Sequence, residues 1–496
     1  MSADSKKFKL VRVPSLRTVD RFREHVIDLG VRIPCADRIE TGDASPLVQP
    51  VNGVEINGKT IGNRWAVHPM EGWDGTTTGR PTKEVFRRWR RFGLSGAKLI
   101  CGGEAMAVCP DGRANPNQLI IRPSNQAPLE ELRKALVKAH VECYGSADDL
   151  VIGFQLTHSG RFCRPHDKSR WEPRVAYRHP ILDRRFHVES DEQVFSDSEV
   201  EGSIESYIEA AQVAANAGAD FVDIKHCHGY LLHEFLSAFT RPGKYGGSFE
   251  NRTRILREIV QGIRDSGNEI DIGVRLSAFD FVPFRPDPER SVSGKLGIGI
   301  PERFQDCLPY RYAFSTQQEN PIAYELNETH GFVRLCHELG VKILNVSAGS
   351  PYYNPHIQRP ASYPPSDGYQ PVCDPLVDVA RQIDVVRQIK EKAPDGIVVV
   401  GSGYSYLQDF LPQVAQRVVR EGWVDIVGLG RMVLSYPEIL ADATTKGELN
   451  PKLICRTFSD CTTAPRNGLV SGCYPLDKFY GERPEFQQLK QIKKSL

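Results

Sequence analysis

The stretch NAGADFVDIKHCHGYL, residues 216–231, joins three local signals. A helix-like segment ends at Gly218, and glycine most readily takes the left-handed conformation that closes a helix. Phe221–Ile224 is a short apolar run of the kind that forms a buried parallel strand. A polar cluster, Lys225 to Tyr230, then follows the strand. The same entry through glycine recurs in LSGAKLI (94–100), ELGVKILNV (338–346) and EGWVDIVGL (421–429). Working outward, eight apolar runs emerge: Arg64–Val67, Ala97–Cys101, Val151–Leu156, Phe221–Ile224, Ile272–Leu276, Lys342–Val346, Ile397–Val400 and Val424–Gly428. Helix-like segments separate them: Lys83–Phe92, Leu129–Cys143, Ser206–Asn216, Glu250–Arg264, Ile322–Leu339, Val377–Glu391 and Leu407–Arg420, with Pro437–Thr445 after the last. Alternation of this kind predicts parallel strands with right-handed crossovers. Eight units predict a closed (β/α)8 TIM barrel, an α/β fold, in preference to an open doubly wound sheet.

Two long polar segments interrupt the repeat, Arg161–Glu201 after strand three and Phe279–Asn320 after strand five. Both leave carboxyl ends of strands, where barrel enzymes place their active sites, so they are candidate lids or pocket walls, with decoration or an oligomer contact as the alternative. The division that follows is an N-terminal extension over 1–55, the barrel over 56–450 and a tail over 451–496 whose basic run, Lys490 to Lys494, reads as a solvated end. With 63 Lys+Arg against 62 Asp+Glu, the chain has no global basic character of a nucleic-acid binder. No apolar stretch reaches the roughly 18 residues of a membrane span, and the start, MSADSKKFKLVRVPSLRTVD, has no apolar signal-peptide core. Twelve cysteines in 496 residues are too sparse for a disulfide scaffold, and a reducing cytoplasm is expected. The expected partner is a small-molecule substrate, with neither nucleic acid nor membrane; a homo-oligomer is left open.

Strand alternation turns Val222 and Ile224 towards the helices and Asp223 and Lys225 into the barrel. A lysine at the top of a barrel strand is costly unless paired or functional. His228 and Tyr230 follow on the strand-to-helix turn. Four readings are open. Lys225 forms a Schiff base; the histidines and Cys227 hold a metal, although no standard zinc spacing is present; Lys225 and His228 hold a substrate oxygen while Tyr230 gives a proton; or Lys225 makes a structural ion pair with Asp223.

Neighbouring motifs favour the third. NRWAVHPM (63–70), GFQLTHSGR (153–161), CHGYLLHEFLS (227–237), YGGSFENRTRIL (245–256), GVRLS (273–277), LNVSAG (344–349) and DIVGLGRMVLSYP (425–437) resemble, in order, motifs of the old yellow enzyme family. These are flavin-dependent NAD(P)H oxidoreductases, and the resemblance covers residues 46–475. Within the family the chain resembles most the 2,4-dienoyl-CoA reductase and trimethylamine dehydrogenase branch, but only a short tail stands where that branch carries C-terminal nucleotide-binding domains.

The resemblance implies FMN bound noncovalently at the carboxyl ends of the strands, with NAD(P)H as reductant. It places Pro69 and Met70 against the flavin ring, Gly103 where the ring approaches backbone, and Gln155 at the pyrimidine edge. It places Arg275 near the N1 side, where a guanidinium offsets the charge that reduction builds. Gly401, Ser402 and Gly403, with Gly430 and Arg431, match the phosphate site. His228 matches the second member of the family's carbonyl-holding pair, and Tyr230 the proton donor. The implied function is ping-pong reduction of an activated C=C bond, enone or enoyl in type. Dehydrogenation of an amine or alicyclic substrate is the alternative, and a Schiff-base lyase using Lys225 a more distant one.

Three positions depart from the family pattern. Lys225 replaces the first member of the pair, which points towards an anionic or strongly polarised acceptor. Glu71 stands where Cys or Thr is common, and is expected to tune the flavin, to serve the substrate, or to lie in a salt bridge. In the tail, Cys461 and Cys473 match the last pair of an iron–sulfur motif, but Ile454 and Thr457 occupy the first two positions and Cys455 is out of register. No metal centre is expected from so broken a pattern.

Overall fold

Gly96, Gly218, Gly340 and Gly422, which close four of the helices, have φ of 71°, 81°, 72° and 69°. Each turns a helix into the strand that follows, as the recurring sequence entry requires. The computed structural model describes residues 10–292 and 296–495. Its central element is a ring of parallel strands: β1 (Trp65–Val67), β2 (Leu99–Ile100), β3 (Val151–Thr157), β4 (Phe221–His226), β5 (Asp271–Ser277), β6 (Val341–Ser347), β7 (Val398–Gly401) and β8 (Ile426–Leu429). β8 pairs with β1 through Leu429 opposite Val67, and β2 with β3 through Leu99 opposite Val151, which closes the barrel. Each of these eight strands lies on a run expected from the sequence, whereas Ala105–Ala107, which pairs parallel with β3 in the same sheet, lies on none.

The outer layer contains α1 (Lys83–Leu94), α2 (Gln126–Tyr144), α3 (Asp197–Asn216), α4 (Phe249–Asp265), α5 (Asn327–Glu338), α6 (Pro375–Lys392) and α7 (Leu411–Arg420). α3 starts well before Ser206, because Ser196 and Glu199 form a reciprocal capping box whose polar first turn hides the helix from a hydrophobic-periodicity reading. α5 starts after Ile322, and the expected last helix breaks into Met432–Ser435, Ile439–Ala441 and a turn of π-helix over Asp442–Lys446.

The two ends of the barrel are closed differently. At the amino end, a hairpin of Val51–Ile56 and Lys59–Ile61 plugs the barrel, Val51, Ile56 and Ile61 packing on Ala66, Leu99, Val151, Phe221 and Ile426. The expected boundary at residue 55 cuts this hairpin, which belongs to the barrel's floor. Phe221 fills the interior above it: a Cβ on Gly153 would come within 2.4 Å of its ring, so only glycine leaves room on β3. At the carboxyl end the tail folds back onto α1, with Arg87 paired to Asp477 at 2.8 Å and Arg483 to Glu84 at 3.3 Å. The basic run sits on a helix, Glu485–Ser495, which buries Leu489 against Ala464, Tyr474 and Tyr480. No helix among the described residues is long and apolar enough to cross a membrane.

Candidate active site

A cavity opens at the carboxyl ends of the strands, with about 1400 Å³ of empty space counting its mouth. Strand register assembles its floor. Gln155 on β3 lies opposite Asp223 on β4, Lys225 opposite Arg275 on β5, and Arg275 opposite Asn345 on β6. As alternation requires, Val222 and Ile224 pack in the outer core while Asp223 and Lys225 point inward. Of the residues singled out from sequence, Lys225, His228, Tyr230, Pro69, Met70, Gln155, Arg275, Ser402, Gly403, Gly430 and Arg431 all line this cavity. Gly103 and Gly401 lie behind its wall. The Gly103 carbonyl accepts the Met70 N–H at 3.0 Å, and at φ 58° a Cβ there would strike Trp89. A Cβ on Gly401 would crowd the Tyr404 hydroxyl at 2.8 Å.

Lys225 does not pair with Asp223. Its Nζ lies 2.6 Å from Glu71 Oε1, with only 4% of the lysine side chain exposed. The other carboxylate oxygen accepts the Tyr230 hydroxyl at 2.8 Å and the Trp73 indole N–H at 3.0 Å. Lys225 Nζ also sits 3.4 Å from the centre of the Tyr230 ring, in cation–π contact. Tyr352, from the loop after β6, extends the chain of hydroxyls at 3.1 Å from Tyr230. Burial first, then the Glu71 carboxylate, pushes the Tyr230 hydroxyl well above its ordinary pKa, so it keeps its proton at neutral pH.

His228 is held in a left-handed backbone conformation, φ 68°, that a non-glycine residue rarely adopts. The surroundings over-determine it. Its N–H donates to Ser277 Oγ at 3.0 Å and its carbonyl accepts from Ser350 Oγ at 2.7 Å. Its Nε2 lies 3.3 Å from Ser347 Oγ and 3.3 Å from Gln358 Nε2. Burial, with Arg275 and Lys225 nearby, drives the imidazole well below its ordinary pKa, so it is neutral. His68 is likewise neutral through burial and bridges the strands, 3.1 Å from both Asn345 Nδ2 and Ser402 Oγ.

The other half of the cavity presents donors that no protein group uses. Arg275 Nε and Arg431 Nη1 are buried without a hydrogen-bond partner. Burial lowers the Arg431 guanidinium to about 9, and neighbouring Arg359 and Arg466 act in the same direction; such a cation calls for an anion. A Cβ on Gly430 would meet nothing nearer than His68 at 4.0 Å, so backbone there is open to a ligand. Gln155 donates Nε2–H to Asp223 Oδ2 at 2.7 Å, which commits one of its two amide hydrogens and fixes which way the amide faces. The donor set fits FMN: Arg431 and the Gly430 backbone for a phosphate, Arg275 and Gln155 for the ring.

Asp223 sits under this half. Burial raises its carboxyl to about 6, against the pull of Gln155, Arg275 and Lys225. Above that pH the floor carries one extra negative charge, which disfavours reduced, anionic flavin; below it the charge is gone. The flavin midpoint potential is therefore expected to rise with an extra slope as pH falls towards about 6, where reduction draws a proton onto Asp223, and to lose that extra slope below about 6, where the carboxyl is protonated in both redox states. Asp223→Asn is expected to remove that break and to raise the potential at neutral pH. Spectroelectrochemical titration across the range measures both, and a break that survives in Asp223→Asn contradicts the assignment.

Several lining residues lie outside the motifs that point to the flavin and the substrate. Tyr352, Gln358 and Arg359 come from the loop after β6, and Cys455, Thr457, Cys461 and Arg466 from the tail. The tail is thus a wall of the site. The two long insertions, expected as lids or walls, contribute no lining residue among those described; Phe162 of the first stacks on Tyr352 at 3.9 Å and supports the wall from outside. Burial, with neighbouring thiols acting in the same direction, raises the Cys455 and Cys473 thiols, yet no group of His, Cys, Asp or Glu among the described residues is arranged to hold a metal. All twelve cysteines are free thiols.

Residues 47–287 match the NADH:flavin oxidoreductase / NADH oxidase family. The chain is 25% identical over 352 residues to an NADH:flavin oxidoreductase of Gibberella zeae, covering 68% of this chain and 71% of that protein. It is 28% identical over 389 residues to an NADPH dehydrogenase of Geobacillus thermodenitrificans, covering 77% and 89%. Among solved structures, a 2-naphthoyl-CoA reductase complex superposes with a TM-score of 0.60 at 18% identity, over 88% of this chain and 57% of that one. Histamine dehydrogenase from Rhizobium sp. 4-9 gives 0.57 at 19%, over 89% and 53%. The chain thus spans just over half the length of these two structures. Morphinone reductase gives 0.52 at 18%, over 82% and 93%. The structural likenesses show a shared barrel. The family match over residues 47–287 and the curated relatives show an FMN-dependent oxidoreductase that draws its electrons from NAD(P)H, similar to the NADH:flavin oxidoreductase / NADH oxidase family, the old yellow enzyme family.

Proposed function

We propose that this oxidoreductase reduces an electron-poor C=C bond conjugated to a carbonyl. The observation that carries the reading is the convergence of a protonated tyrosine, a neutral histidine and an ammonium on one cavity whose remaining wall offers orphan donors for the cofactor. When bound, FMN supplies the two-electron relay between NAD(P)H and the substrate carbon. The chain's own residues do the rest. His228 and Lys225 polarise the carbonyl oxygen, which draws electron density from the β-carbon. His228 does so as a neutral imidazole, its charged form suppressed by burial. Tyr230 holds the proton for the α-carbon, and Lys225 over its ring offsets the phenolate charge that donation leaves.

Dehydrogenation of an amine or alicyclic substrate is favoured by one observation, the Glu71 carboxylate accepting a hydrogen bond from the Tyr230 hydroxyl, as a pair that takes a proton from the substrate would require. A Schiff-base lyase fits less well, because Lys225 is held as an ammonium in an ion pair and not as a free amine. The test is optical. Anaerobic NADH or NADPH is expected to bleach the flavin absorbance, and 2-cyclohexenone to restore it. Bleaching by an amine, with no recovery on adding enone, would favour the dehydrogenase.

A further inference from the structure

The cavity holds more cations than carboxylates, and how they pair decides what it accepts. Arg88 is buried between Asp74 and Glu104, and Arg466 is paired with Asp367. Arg275, Arg359 and Arg431 have no carboxylate partner among the described residues; Arg359 Nη1 donates only to Ser459 Oγ at 2.9 Å. Arg431 with Arg359, and Arg275, lie at the end where the orphan donors fit the cofactor's phosphate and ring. That leaves Lys225 as the cation facing the substrate, and Glu71 cancels it at 2.6 Å. Glu71 is itself engaged at both oxygens: Lys225 takes one, and Tyr230 and Trp73 donate to the other. With 13% of its side chain exposed, the carboxylate faces the cavity.

We propose that Glu71 is the specificity-determining residue of the substrate site. By neutralising Lys225 it confines the site to uncharged carbonyl compounds and excludes carboxylates. This rests on the reading that Lys225, His228 and Tyr230 face the substrate. A carboxylate entering beside Glu71 meets a fixed negative charge in a largely buried space, and Lys225, the cation in contact with Glu71, is already taken. A neutral carbonyl meets no such repulsion, and accepts hydrogen bonds from donors whose charge is balanced. The sequence departure at Lys225 therefore does not make the site a receptor for anions, because the second departure, at Glu71, compensates it.

The test compares two planar, non-reducible probes of similar shape, benzoate and benzamide, titrated into FMN-loaded holoenzyme and read by perturbation of the flavin absorbance. In the wild type benzamide is expected to bind the more tightly. Glu71→Gln leaves Lys225 unneutralised, and the ratio of the benzoate to the benzamide dissociation constant is expected to fall by about tenfold or more. Lys225→Met, which leaves Glu71 uncompensated, is expected to raise the same ratio and to tighten benzylammonium. An unchanged ratio in FMN-replete Glu71→Gln overturns the proposal; so does a Lys225→Met enzyme that binds benzoate more tightly than the wild type, which keeps the test decisive if the first variant does not fold. Failure of enone reduction with the ratios shifted as stated would remove the ene-reductase reading and leave this one. Unchanged ratios with enone still reduced would do the reverse.

Discussion

Tyr230→Phe is expected to slow reoxidation of the reduced enzyme by an enone by about 10²–10³-fold, while reduction by NAD(P)H changes by less than about threefold. The asymmetry follows from the position of the proton. The Tyr230 hydroxyl is kept protonated by burial and by Glu71, and lies beside Lys225 with a proton to give to carbon at neutral pH. Flavin reduction by NAD(P)H needs no such donor. The substitution leaves Glu71 held by Lys225 and Trp73, so the charge pairing of the cavity survives. Stopped-flow measurement of each half-reaction separates the two rates. Equal slowing of both would assign Tyr230 to binding and not to proton delivery.

Arg431→Ala is expected to weaken FMN binding by about 10²-fold, with the barrel still folded. A charge-assisted, bidentate contact to phosphate contributes on the order of 3 kcal/mol, which is that factor. The fold loses little, because Arg431 Nη1 has no hydrogen-bond partner in the protein. Equilibrium dialysis of FMN, with circular dichroism as the control, gives the result. Ser402→Ala is the comparison. Its hydroxyl already bonds His68, so a smaller loss is expected there. FMN affinity within about threefold of wild type in Arg431→Ala would move the phosphate site elsewhere.

The barrel was legible because each of its strands is bounded by local chemistry: an apolar run, a glycine before it and polar residues after it. Asp223 and Lys225 point inward for the same local reason, the period of a strand. What could not be read from the chain was pairing between distant segments. Lys225 and Glu71 are separated by 154 positions, and the choice between Asp223 and Glu71 as its partner depends on which wall each approaches. Tyr352 reaches Tyr230 only because the loop after β6 crosses the mouth, and the tail residues become a wall only because Arg87 and Arg483 tie the tail to α1. The insertions were misleading for a related reason. Their length marks them, but Phe162 supports the wall through Tyr352 without reaching the cavity. α3 began earlier than its apolar period suggested because its first turn is specified by the cap at Ser196.

The most direct test of the central claim is where two hydrogens go. With NAD(P)H deuterated at the transferring position of the nicotinamide, and an enone as acceptor in ordinary water, the account predicts deuterium on the β-carbon and none on the α-carbon. In heavy water with unlabelled NAD(P)H it predicts solvent deuterium on the α-carbon alone, and slowed delivery there in Tyr230→Phe. Solvent deuterium at the β-carbon, or nicotinamide deuterium at the α-carbon, would contradict it.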